Sequence, residues 1–488
     1  MLRPYLRQSG LLQMYAKTLG TCKSVKKSQH LHIGTKKAYL CTHMKFEELE
    51  LIDPILKALK DKNYEEPTPI QEKAIPLILQ RKDILGCAQT GTGKTAAFSI
   101  PIIQLIHKID GNHKGKPKLR SLIVTPTREL AIQIDESISD YSKYTNLKHT
   151  VIYGGVKQMK QVKRIQSGIH VLVATPGRLL DLIGQGIFNL NDIKMFVLDE
   201  ADRMLDMGFI NDIRKLIRLL PQKRQNLFFS ATMPDNIVEL SKTILNDPKK
   251  IEVTPVSSTA ETIQQYIYYT NRIDKRDLLL YLLKEKIDDQ VLLFSRTKHG
   301  ADKIVRFLQK EKVKAAAIHG NKSQNQRQKA LNDFKDGKIK LLVATDIAAR
   351  GIDIDKLQYV INFSIPNIAE TYVHRIGRSG RAGNEGVAIS ISEAEDNIYV
   401  KDIQKLIKNK AKVVSDHPFP QTDKPMTAKE KKEFNKLKQE RKMEMIAARR
   451  KKRSGGGGGG RYGNKGGKSS SGRGKSAGNS NAKTRRKR

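Results

Sequence analysis

The segment Asp83-Ile-Leu-Gly-Cys-Ala-Gln-Thr-Gly-Thr-Gly-Lys-Thr95 joins a short apolar run to a glycine-rich turn, and a helical pattern follows it. Glycines let backbone N–H groups approach a phosphate closely, and the start of a helix adds the positive end of its dipole. Lys94 can reach the β and γ phosphates of a nucleotide, and the Thr95 hydroxyl can ligate Mg²⁺. The segment therefore predicts a phosphate-binding loop between a strand and a helix, although Ala88 stands where the strict loop pattern has glycine.

A second group of candidate residues lies further along the chain, in Met195-Phe-Val-Leu-Asp-Glu-Ala-Asp202. This segment places carboxylates at the end of a buried apolar run. Asp199 can hold a metal ion, and Glu200 can take a proton from water. Each motif alone is moderately specific, but the two together, in this order, predict nucleotide hydrolysis.

Short apolar runs alternate with helical patterns in two halves of the chain, which predicts an α/β fold with parallel, doubly wound sheets. Runs without polar alternation are typical of strands buried on both faces. The predicted strands of the first half are Asp83–Cys87, Leu122–Thr125, Thr150–Tyr153, Val171–Thr175, Met195–Asp199 and Asn226–Ser230. Those of the second half are Val291–Ser295, Ala315–Ile318, Leu341–Thr345, Tyr359–Phe363 and Gly386–Ser392. We expect two tandem domains, 44–245 and 263–415, with a proline-containing linker at 246–262.

The charge of the chain indicates a polyanionic partner. The 488 residues carry a formal net charge of +40, so nucleic acid is the leading candidate and an acidic membrane surface the second. Residues 1–43 contain 8 Lys and Arg, residues 448–488 contain 15, and neither segment has an acidic residue. No apolar run approaches the ~18 residues of a membrane span. The 3 cysteines exclude a disulfide scaffold and a multi-cysteine zinc site.

Both ends of the chain are expected to lie outside the folded core. Residues 451–488, rich in Gly, Ser, Lys and Arg, have too few apolar side chains to offset their ordering entropy, so we expect disorder. Their single-signed charge predicts an RNA-binding tail, with an inert solubilising tail as the alternative. Residues 416–450 predict a basic helical extension with a thin apolar stripe of Phe434, Leu437, Met443 and Ile446. For residues 1–43 a mis-assigned start codon before Met44, a short disordered extension and a mitochondrial presequence all stay open.

Asp199-Glu200-Ala201-Asp202 is the signature of the DEAD-box RNA helicases, and residues 44–415 resemble that family. Asn63 stands where the family usually has glycine, and the basic glycine-rich tail resembles the bacterial RhlE-like subgroup. The other matching motifs stand in the family's order: Phe46 with Asn63–Gln71, Pro126–Leu130, Gly154-Gly155, Thr175–Arg178, Ser230–Thr232, Leu292–Thr297, Gln324 with Arg327, Ala344–Asp353 and His374–Arg381. The resemblance implies two RecA-like domains.

The resemblance also implies which residues would use ATP and Mg²⁺. Gln71 would select adenine, Asp353 would touch the ribose, and Phe46 would stack on the base unless it is an ordinary core aromatic. Thr95 and Asp199 would hold Mg²⁺, partly through water. The loop residues that would hold ATP are Ala88, Gln89, Thr90, Gly91, Thr92, Gly93, Lys94 and Thr95. The catalytic residues would be Lys94, Asp199 and Glu200, with Arg378 and Arg381 as arginine fingers.

Other motif residues resemble those that bind RNA or couple the domains. Few of the RNA-binding groups could read base edges, so sequence-indifferent backbone binding is expected. These groups are Arg128, Gly155, Thr175, Arg178, Arg327 and Thr345. Ser230, Thr232 and His374 would couple hydrolysis to the domains, with a core histidine as the alternative for His374. An interdomain salt bridge is the alternative for Arg375, and Cys87 is expected to serve packing, not reactivity.

The combined prediction is a cytoplasmic, RNA-stimulated ATPase that closes two domains on RNA and unwinds short duplexes or remodels ribonucleoprotein. Ribosome assembly or RNA turnover, with proteins of those processes as partners, is the expected setting, and no membrane partner is expected. An ATP-gated RNA clamp with little unwinding would use the same residues and stays open as an alternative. A chaperone acting through its tails alone is disfavoured by the presence of Lys94, Glu200 and Arg381.

Overall fold

The computed structural model describes residues 44–88, 91–110, 115–253, 263–349, 357–380, 386–408 and 411–425, with further positions between 427 and 447. The described residues do not include the two tails, 1–43 and 451–488, that are expected to lie outside the folded core. Among the helices in the described ranges, none is both long and apolar enough to span a membrane.

The first domain is built on a sheet of 7 parallel strands in the order β3-β4-β2-β5-β6-β1-β7. Parallel neighbours need long crossover connections, which the helices supply. The strands are β1 (Ile84–Cys87), β2 (Ser121–Val124), β3 (His149–Ile152), β4 (Val171–Ala174), β5 (Met195–Leu198), β6 (Gln225–Ser230) and β7 (Lys249–Glu252). The helices are α1 (Asp53–Asp61), α2 (Pro69–Leu79), α3 (Lys94–Asp110), α4 (Arg128–Tyr141), α5 (Met159–Gln166), α6 (Pro176–Gly184), α7 (Ala201–Asp206), α8 (Ile210–Leu219) and α9 (Asp235–Ile244).

The second domain repeats this topology. Its 7 parallel strands lie in the order β10-β11-β9-β12-β13-β8-β14, which matches the first sheet strand for strand when each domain is counted from its own first strand. The strands are β8 (Ile263–Tyr269), β9 (Val291–Phe294), β10 (Ala315–Ile318), β11 (Leu341–Ala344), β12 (Tyr359–Asn362), β13 (Gly386–Ser392) and β14 (Lys412–Val414). The helices are α10 (Lys275–Glu285), α11 (Lys298–Lys310), α12 (Gln324–Lys335), α13 (Asp346–Ala349), α14 (Ala369–Ile376) and α15 (Asn397–Ile407).

The central strands are buried on both faces, as their unbroken apolar runs predict. In β5, Met195 and Val197 pack into the core on one face of the sheet, while Phe196 and Leu198 pack into the core on the other. The alternation follows from the two-residue period of a strand. Both faces therefore need a layer of helices, and the first domain has the three-layer form expected of a doubly wound sheet.

The borders of the domains differ from the prediction at the start of the linker and at the end of the second domain. Strand β7 pairs with β1, so the first domain extends to Glu252 and the predicted linker 246–262 begins too early. Residues 254–262 lie outside the described part of the chain. After β14 the chain packs back on the second domain, where Gln421 Nε2 donates to the Thr270 carbonyl at 3.2 Å and Phe419 contacts the core. The described positions between 430 and 447 are helical, and they lie within the predicted basic helical extension 416–450.

Strand order brings the candidate chemistry to one edge of the first sheet. Strands β5, β6 and β1 are neighbours, and neighbouring strands lie about 4.8 Å apart. The carboxyl ends of parallel strands meet at the same edge, which is where ligands bind in doubly wound sheets. The phosphate loop after β1, the end of β6 and the acids after β5 therefore lie side by side.

Candidate active site

The loop after β1 has the geometry of a phosphate cradle. Gly91 and Gly93 have φ values of 90° and 91°, which side chains rarely tolerate. Helix α3 begins directly afterwards at Lys94, whose side chain is buried. Lys94 Nζ donates a 2.7 Å hydrogen bond to the Ala88 carbonyl, and this bond holds the amine over the loop. Two further loop residues predicted to bind ATP lie outside the described part of the chain: Gln89 and Thr90.

Helix α2 braces this loop from the side. Gln71 Nε2 donates to the Gly93 carbonyl at 3.1 Å, and Thr68 Oγ1 donates to the Thr92 carbonyl at 2.9 Å. A Cβ atom on Gly93 would lie 2.3 Å from Gln71 Nε2, so only glycine fits there. Gln71 Oε1 also accepts the Thr68 backbone N–H at 3.0 Å. A primary amide has two donors and two acceptor positions, so Gln71 keeps one of each for a bound base.

A cavity of about 720 Å³ lies beside the loop. Six of the residues predicted to bind ATP or metal line it together with the predicted catalytic residue Glu200: Gln71, Gly91, Gly93, Lys94, Thr95 and Asp199. Asp353, predicted to touch the ribose, lies outside the described residues.

Phe46 is not among the residues that line this cavity. Its side chain is 2% exposed and packs in the hydrophobic core, so its ring has no open face for a base. This burial contradicts the predicted stacking and agrees with the alternative of a core aromatic. Tyr64 lines the cavity instead, with 40% of its surface exposed. The preceding Asn63 has φ 55°, a left-handed conformation that asparagine tolerates, which explains its presence where the family usually has glycine.

The strand-end acids are buried and tightly held. Asp199 and Glu200 follow β5, with side chains 2% and 3% exposed. Asp199 Oδ1 accepts the Glu200 backbone N–H at 3.0 Å. Arg203, one turn further on α7, donates from one nitrogen to both carboxylate oxygens of Glu200 at 2.8 and 2.9 Å. Arg203 was not predicted, although an opposite charge three residues after Glu200 is a recognisable helix pair.

The pKa values of Asp199 and Glu200 shift in opposite directions. Burial raises the pKa of Asp199 to about 6; the charge of Glu200 adds to the rise, while Lys94 opposes it. Burial acts on Glu200 in the same sense, but the charges of Arg203, Lys94 and Arg378 outweigh it and hold the pKa of Glu200 below its ordinary value. Glu200 is therefore kept ionised, as a proton acceptor requires.

Thr95 and Asp199 fit a magnesium site. The Thr95 hydroxyl is half-buried, the Asp199 carboxylate is buried, and both line the same cavity. Mg²⁺ prefers oxygen ligands of this kind and commonly keeps several waters while it binds one or two carboxylates and the substrate phosphates.

The predicted coupling residues form a hydrogen-bonded link between β6 and α7. Ser230 Oγ accepts the Asp202 N–H at 3.2 Å and donates to the Thr232 carbonyl at 2.7 Å. Thr232 donates from its backbone N–H and its hydroxyl to Asp202 Oδ2, each at 3.1 Å. His374 of the second domain lies close enough to lower the pKa of Asp202, against the effect of burial. The link therefore reaches across the domain boundary.

Of the three arginines considered in the second domain, Arg378 lies near this site. Arg378 is buried, and its charge lowers the pKa of Glu200. Arg375 is 2% exposed and donates from two nitrogens to Asp346, at 2.5 and 2.9 Å. Both partners belong to the second domain, so the alternative of an interdomain salt bridge for Arg375 is wrong. Arg381 lies outside the described residues.

A second cleft, of about 530 Å³, collects most of the residues predicted to bind RNA. Arg128, Thr175, Arg178 and Arg327 line it. Gly155 has φ 80°, and a Cβ atom there would lie 2.2 Å from Arg128 Nη1, so glycine is required for this close approach. Thr345 follows β11 and is half-buried, but it does not line the cleft.

All three of these arginines are bonded within the protein. Arg128 Nη1 donates a long hydrogen bond of 3.5 Å to Gln324 Oε1 of the second domain. Arg178 donates to Gln161 Oε1 at 2.9 Å and to the Val156 carbonyl at 3.2 Å. Arg327 donates to Glu129 Oε2 at 2.7 Å, across the domain boundary. Glu129 was missed by the sequence analysis, although it lies inside the quoted motif Pro126–Leu130.

Cys87 has the surroundings expected of a packing residue. Its thiol is free and half-buried at the end of β1. Burial raises the pKa of this thiol, and the charges of Glu252 and Asp202 add to the rise. A raised pKa leaves little of the reactive thiolate at neutral pH.

Two RecA-like domains that direct a phosphate loop, strand-end acids and the buried Arg378 into one interface define an ATPase of the helicase type. A model of the DEAD/DEAH box helicase family matches residues 68–240, and a model of the helicase conserved C-terminal domain matches residues 274–383. This chain belongs to the DEAD-box ATP-dependent RNA helicases and is an RNA-stimulated ATPase.

Named relatives agree with this assignment. The ATP-dependent RNA helicase CshA of Limosilactobacillus reuteri is 42% identical over 365 residues, which cover 75% of this chain and 72% of the relative. The DEAD-box ATP-dependent RNA helicase CshA of Geobacillus kaustophilus is also 42% identical over 365 residues, covering 75% of this chain and 77% of the relative. S. cerevisiae Dbp5, solved bound to RNA and ADP BeF3, is similar with a TM-score of 0.67 and 32% identity, covering 76% of this chain and 95% of that chain. The RhlE-like subgroup stays a prediction.

Proposed function

We propose that this protein closes its two domains on RNA when ATP binds, distorts the bound strand so that short duplexes separate, and releases the RNA after hydrolysis. One observation carries the proposal: groups of the second domain reach into both sites of the first. Arg378 lies near Glu200, and Arg327 is bonded to Glu129. Each site is therefore complete only when the domains meet.

In this mechanism the first domain binds ATP. Gln71 offers an amide donor and acceptor to adenine, and Lys94 moves from the Ala88 carbonyl to the β and γ phosphates. Thr95 and Asp199 hold Mg²⁺, which neutralises phosphate charge when bound. Closure of the second domain adds Arg378, and Arg381 by the resemblance, beside the γ phosphate.

Hydrolysis then depends on Glu200. Its carboxylate is held by Arg203 and kept ionised by neighbouring positive charges, so it is ready to orient the attacking water and accept its proton. The arginines from the second domain stabilise the charge that develops on the transferred phosphoryl group. Loss of the γ phosphate removes its attraction for these arginines. The hydrogen bonds between Asp202 and Thr232, next to His374, transmit this change to the second domain, and the domains separate.

RNA is held through its backbone in the second cleft. Arg128 and Arg178 supply positive charge, and Gly155 lets the Arg128 side chain pack closely against the backbone. Phosphate contacts position a strand without reading its sequence. The basic tail 451–488 would raise affinity for RNA without a role in ATP binding. Ribosome assembly or RNA turnover in the cytoplasm remains the proposed setting, in which proteins of those processes would be the partners.

Measurement of ATP and RNA binding tests this proposal. In Lys94→Ala the affinity for a fluorescent ATP analogue should fall, because the amine that reaches the phosphates is lost. Wild-type protein should bind single-stranded RNA more tightly with a non-hydrolysable ATP analogue than without it, and Lys94→Ala should lose this difference. Unchanged nucleotide affinity in the variant, or RNA binding independent of nucleotide in the wild type, contradicts the proposal.

A further inference from the structure

Helix α5 and the turn before it carry a row of positive charges beside the second cleft, the proposed RNA site. Val162 and Ile165 pack into the core of the first domain. Lys157, Lys160 and Arg164 lie at positions i, i+3 and i+7, all exposed, and they line a separate cleft of about 700 Å³. Lys160 and Arg164 are four residues apart and share one side of α5, and Lys157 lies two residues before the helix begins. Because all three line the same cleft, they form a single basic face of it.

No carboxylate of the described residues neutralises this face. Lys157, Lys160 and Arg164 take part in no ion pair within the described ranges, and none of the residues that line the cleft is acidic. Other exposed lysines of the same domain do have partners: Lys143 lies 2.6 Å from an oxygen of Asp61. A row of unneutralised cations beside a groove attracts a polyanion.

The opposite wall of the cleft belongs to the second domain and also suits an anion. Ser323, Gln324 and Asn325 line it, at the start of the 12-residue helix α12. The first turn of this helix contains no acidic residue, and its amino end carries the positive pole of the helix dipole. The cleft therefore lies between a basic helix face and a positive helix end.

The cleft is continuous with the proposed RNA site. Gly155, one of the residues predicted to bind RNA, lines it together with the basic face. Lys160 and Arg164 are four residues apart, about 6 Å along the helix, and one strand of a duplex carries a phosphate for every ~3.4 Å of its axis. The row of charges is therefore long enough to meet more than one phosphate of a strand that leaves the RNA site past Gly155.

We propose that the face formed by Lys157, Lys160 and Arg164 binds phosphates of the RNA segment that flanks the clamped nucleotides on the same strand. This inference rests on the proposed function, because it takes the RNA path past Gly155 as its starting point. The basic face would therefore contact the part of a long RNA that a short oligonucleotide does not reach.

The test compares the triple variant Lys157→Gln, Lys160→Gln, Arg164→Gln with a matched control. The control is Lys303→Gln, Arg306→Gln, Lys310→Gln, which has the same i, i+3, i+7 spacing and loses the same charge on the exposed face of α11. Glutamine has a helix propensity close to that of lysine and arginine, so both helices should persist. Equal thermal unfolding midpoints would check this.

Binding would be measured for the full chain with a non-hydrolysable ATP analogue at several salt concentrations. The ligands are the shortest oligouridylate that binds in an analogue-dependent way, one several times longer, and the short one paired with its complement. We expect the α5 variant to lose up to about two units of the slope of log K against log salt on the long strand, at ~0.7 per phosphate on single strands. The short strand should bind as in the wild type, and the control variant should keep the wild-type slope on both.

Equal slopes for the two variants on the long strand would overturn the inference. So would an equal loss on the short strand, which would place α5 in the clamp itself, or a loss confined to the duplex, which would assign the face to the complementary strand. Failure of the proposed function has a different signature: wild-type protein would show no analogue-dependent binding of the short strand.

Discussion

Arg327 of the second domain donates a 2.7 Å hydrogen bond to Oε2 of Glu129 in the first domain, where the carboxylate is 1% exposed. Gln324 Nε2 donates to the other oxygen, Oε1, at 2.9 Å. Both bonds exist only while the domains are in contact, so they favour the closed arrangement. Arg327 also lines the second cleft, the proposed RNA site. Its contact with an RNA phosphate stays a prediction, whereas its bond to Glu129 is observed.

Glu129→Gln should weaken closure without weakening ATP binding. The amide keeps the shape of the side chain but loses the charge that Arg327 faces, and truncating one partner of a buried charge pair typically costs about 2–5 kcal/mol. We expect faster RNA dissociation in the presence of an ATP analogue and a higher KM for RNA. Stopped-flow release of a fluorescent oligonucleotide measures this. RNA dissociation as slow as in the wild type would show that the pair does not hold the domains together.

Substitutions at Tyr64 and Phe46 should show which of the two rings serves ATP binding and which serves folding stability. Tyr64→Ala should weaken ATP binding by about 1–3 kcal/mol, the usual loss when an aromatic partner of a base is removed. Phe46→Leu should instead lower the free energy of unfolding by roughly 0.5–3 kcal/mol and leave ATP affinity unchanged. Titration calorimetry and denaturant unfolding of both variants check the pair. The reverse pattern would restore Phe46 as the stacking residue.

Arg378→Ala should separate ATP binding from hydrolysis. ATP should still bind to the first domain through Lys94 and Gln71, while turnover falls by about 10³–10⁵-fold, as for arginine fingers elsewhere. Because Arg378 lowers the pKa of Glu200, its removal raises that pKa, and the acidic limb of the residual rate should move to higher pH. Steady-state ATPase measured across pH tests both effects. We expect Arg381→Ala to show the same loss of turnover. Wild-type rates in both variants would show that the second domain does not complete the active site.

Deleting 448–488 should raise the KM for RNA and leave kcat near normal at saturating RNA. The segment contains 15 Lys and Arg, no acidic residue and no nucleotide motif. Each neutralised phosphate contributes about 0.7 to the slope of log K against log salt on single strands, so a drop of several units is expected. The difference between the proteins should shrink as salt screens the tail. Identical slopes for both proteins would mean that the tail does not contact RNA.

Sequence patterns predicted the central strands well because their side chains are apolar throughout. Met195–Leu198 and Val291–Phe294 each end one residue before the predicted boundary. The three strands that the analysis missed are polar, mixed or very short: β7 has the sequence KKIE, β14 has only the three residues KVV, and β8 alternates buried and exposed residues beside the linker. Strands at or near the edge of a sheet are partly solvated, and charged residues there obscure the apolar pattern.

The candidate site was predictable where chemistry and spacing coincide, and not where it depends on contacts between domains. Glycines, Lys94 and the strand-end acids are recognisable because phosphate chemistry restricts those residue types. Glu129 accepts bonds from residues almost two hundred positions away, which no local pattern reveals. Phe46 and Tyr64 are both aromatic, and only packing distinguishes the buried ring from the one beside the cavity.

The most direct test of the account is release of a fluorescent strand from a short RNA duplex. Wild-type protein with ATP should release the strand, whereas wild-type protein without ATP should not. Glu200→Gln should bind ATP and RNA but turn over about 10²–10⁴-fold more slowly, since its amide cannot accept the proton, and strand release should slow with it. The account would be contradicted if the wild type hydrolysed ATP in response to RNA but released no more strand than it does without ATP. That result would indicate an ATP-gated RNA clamp.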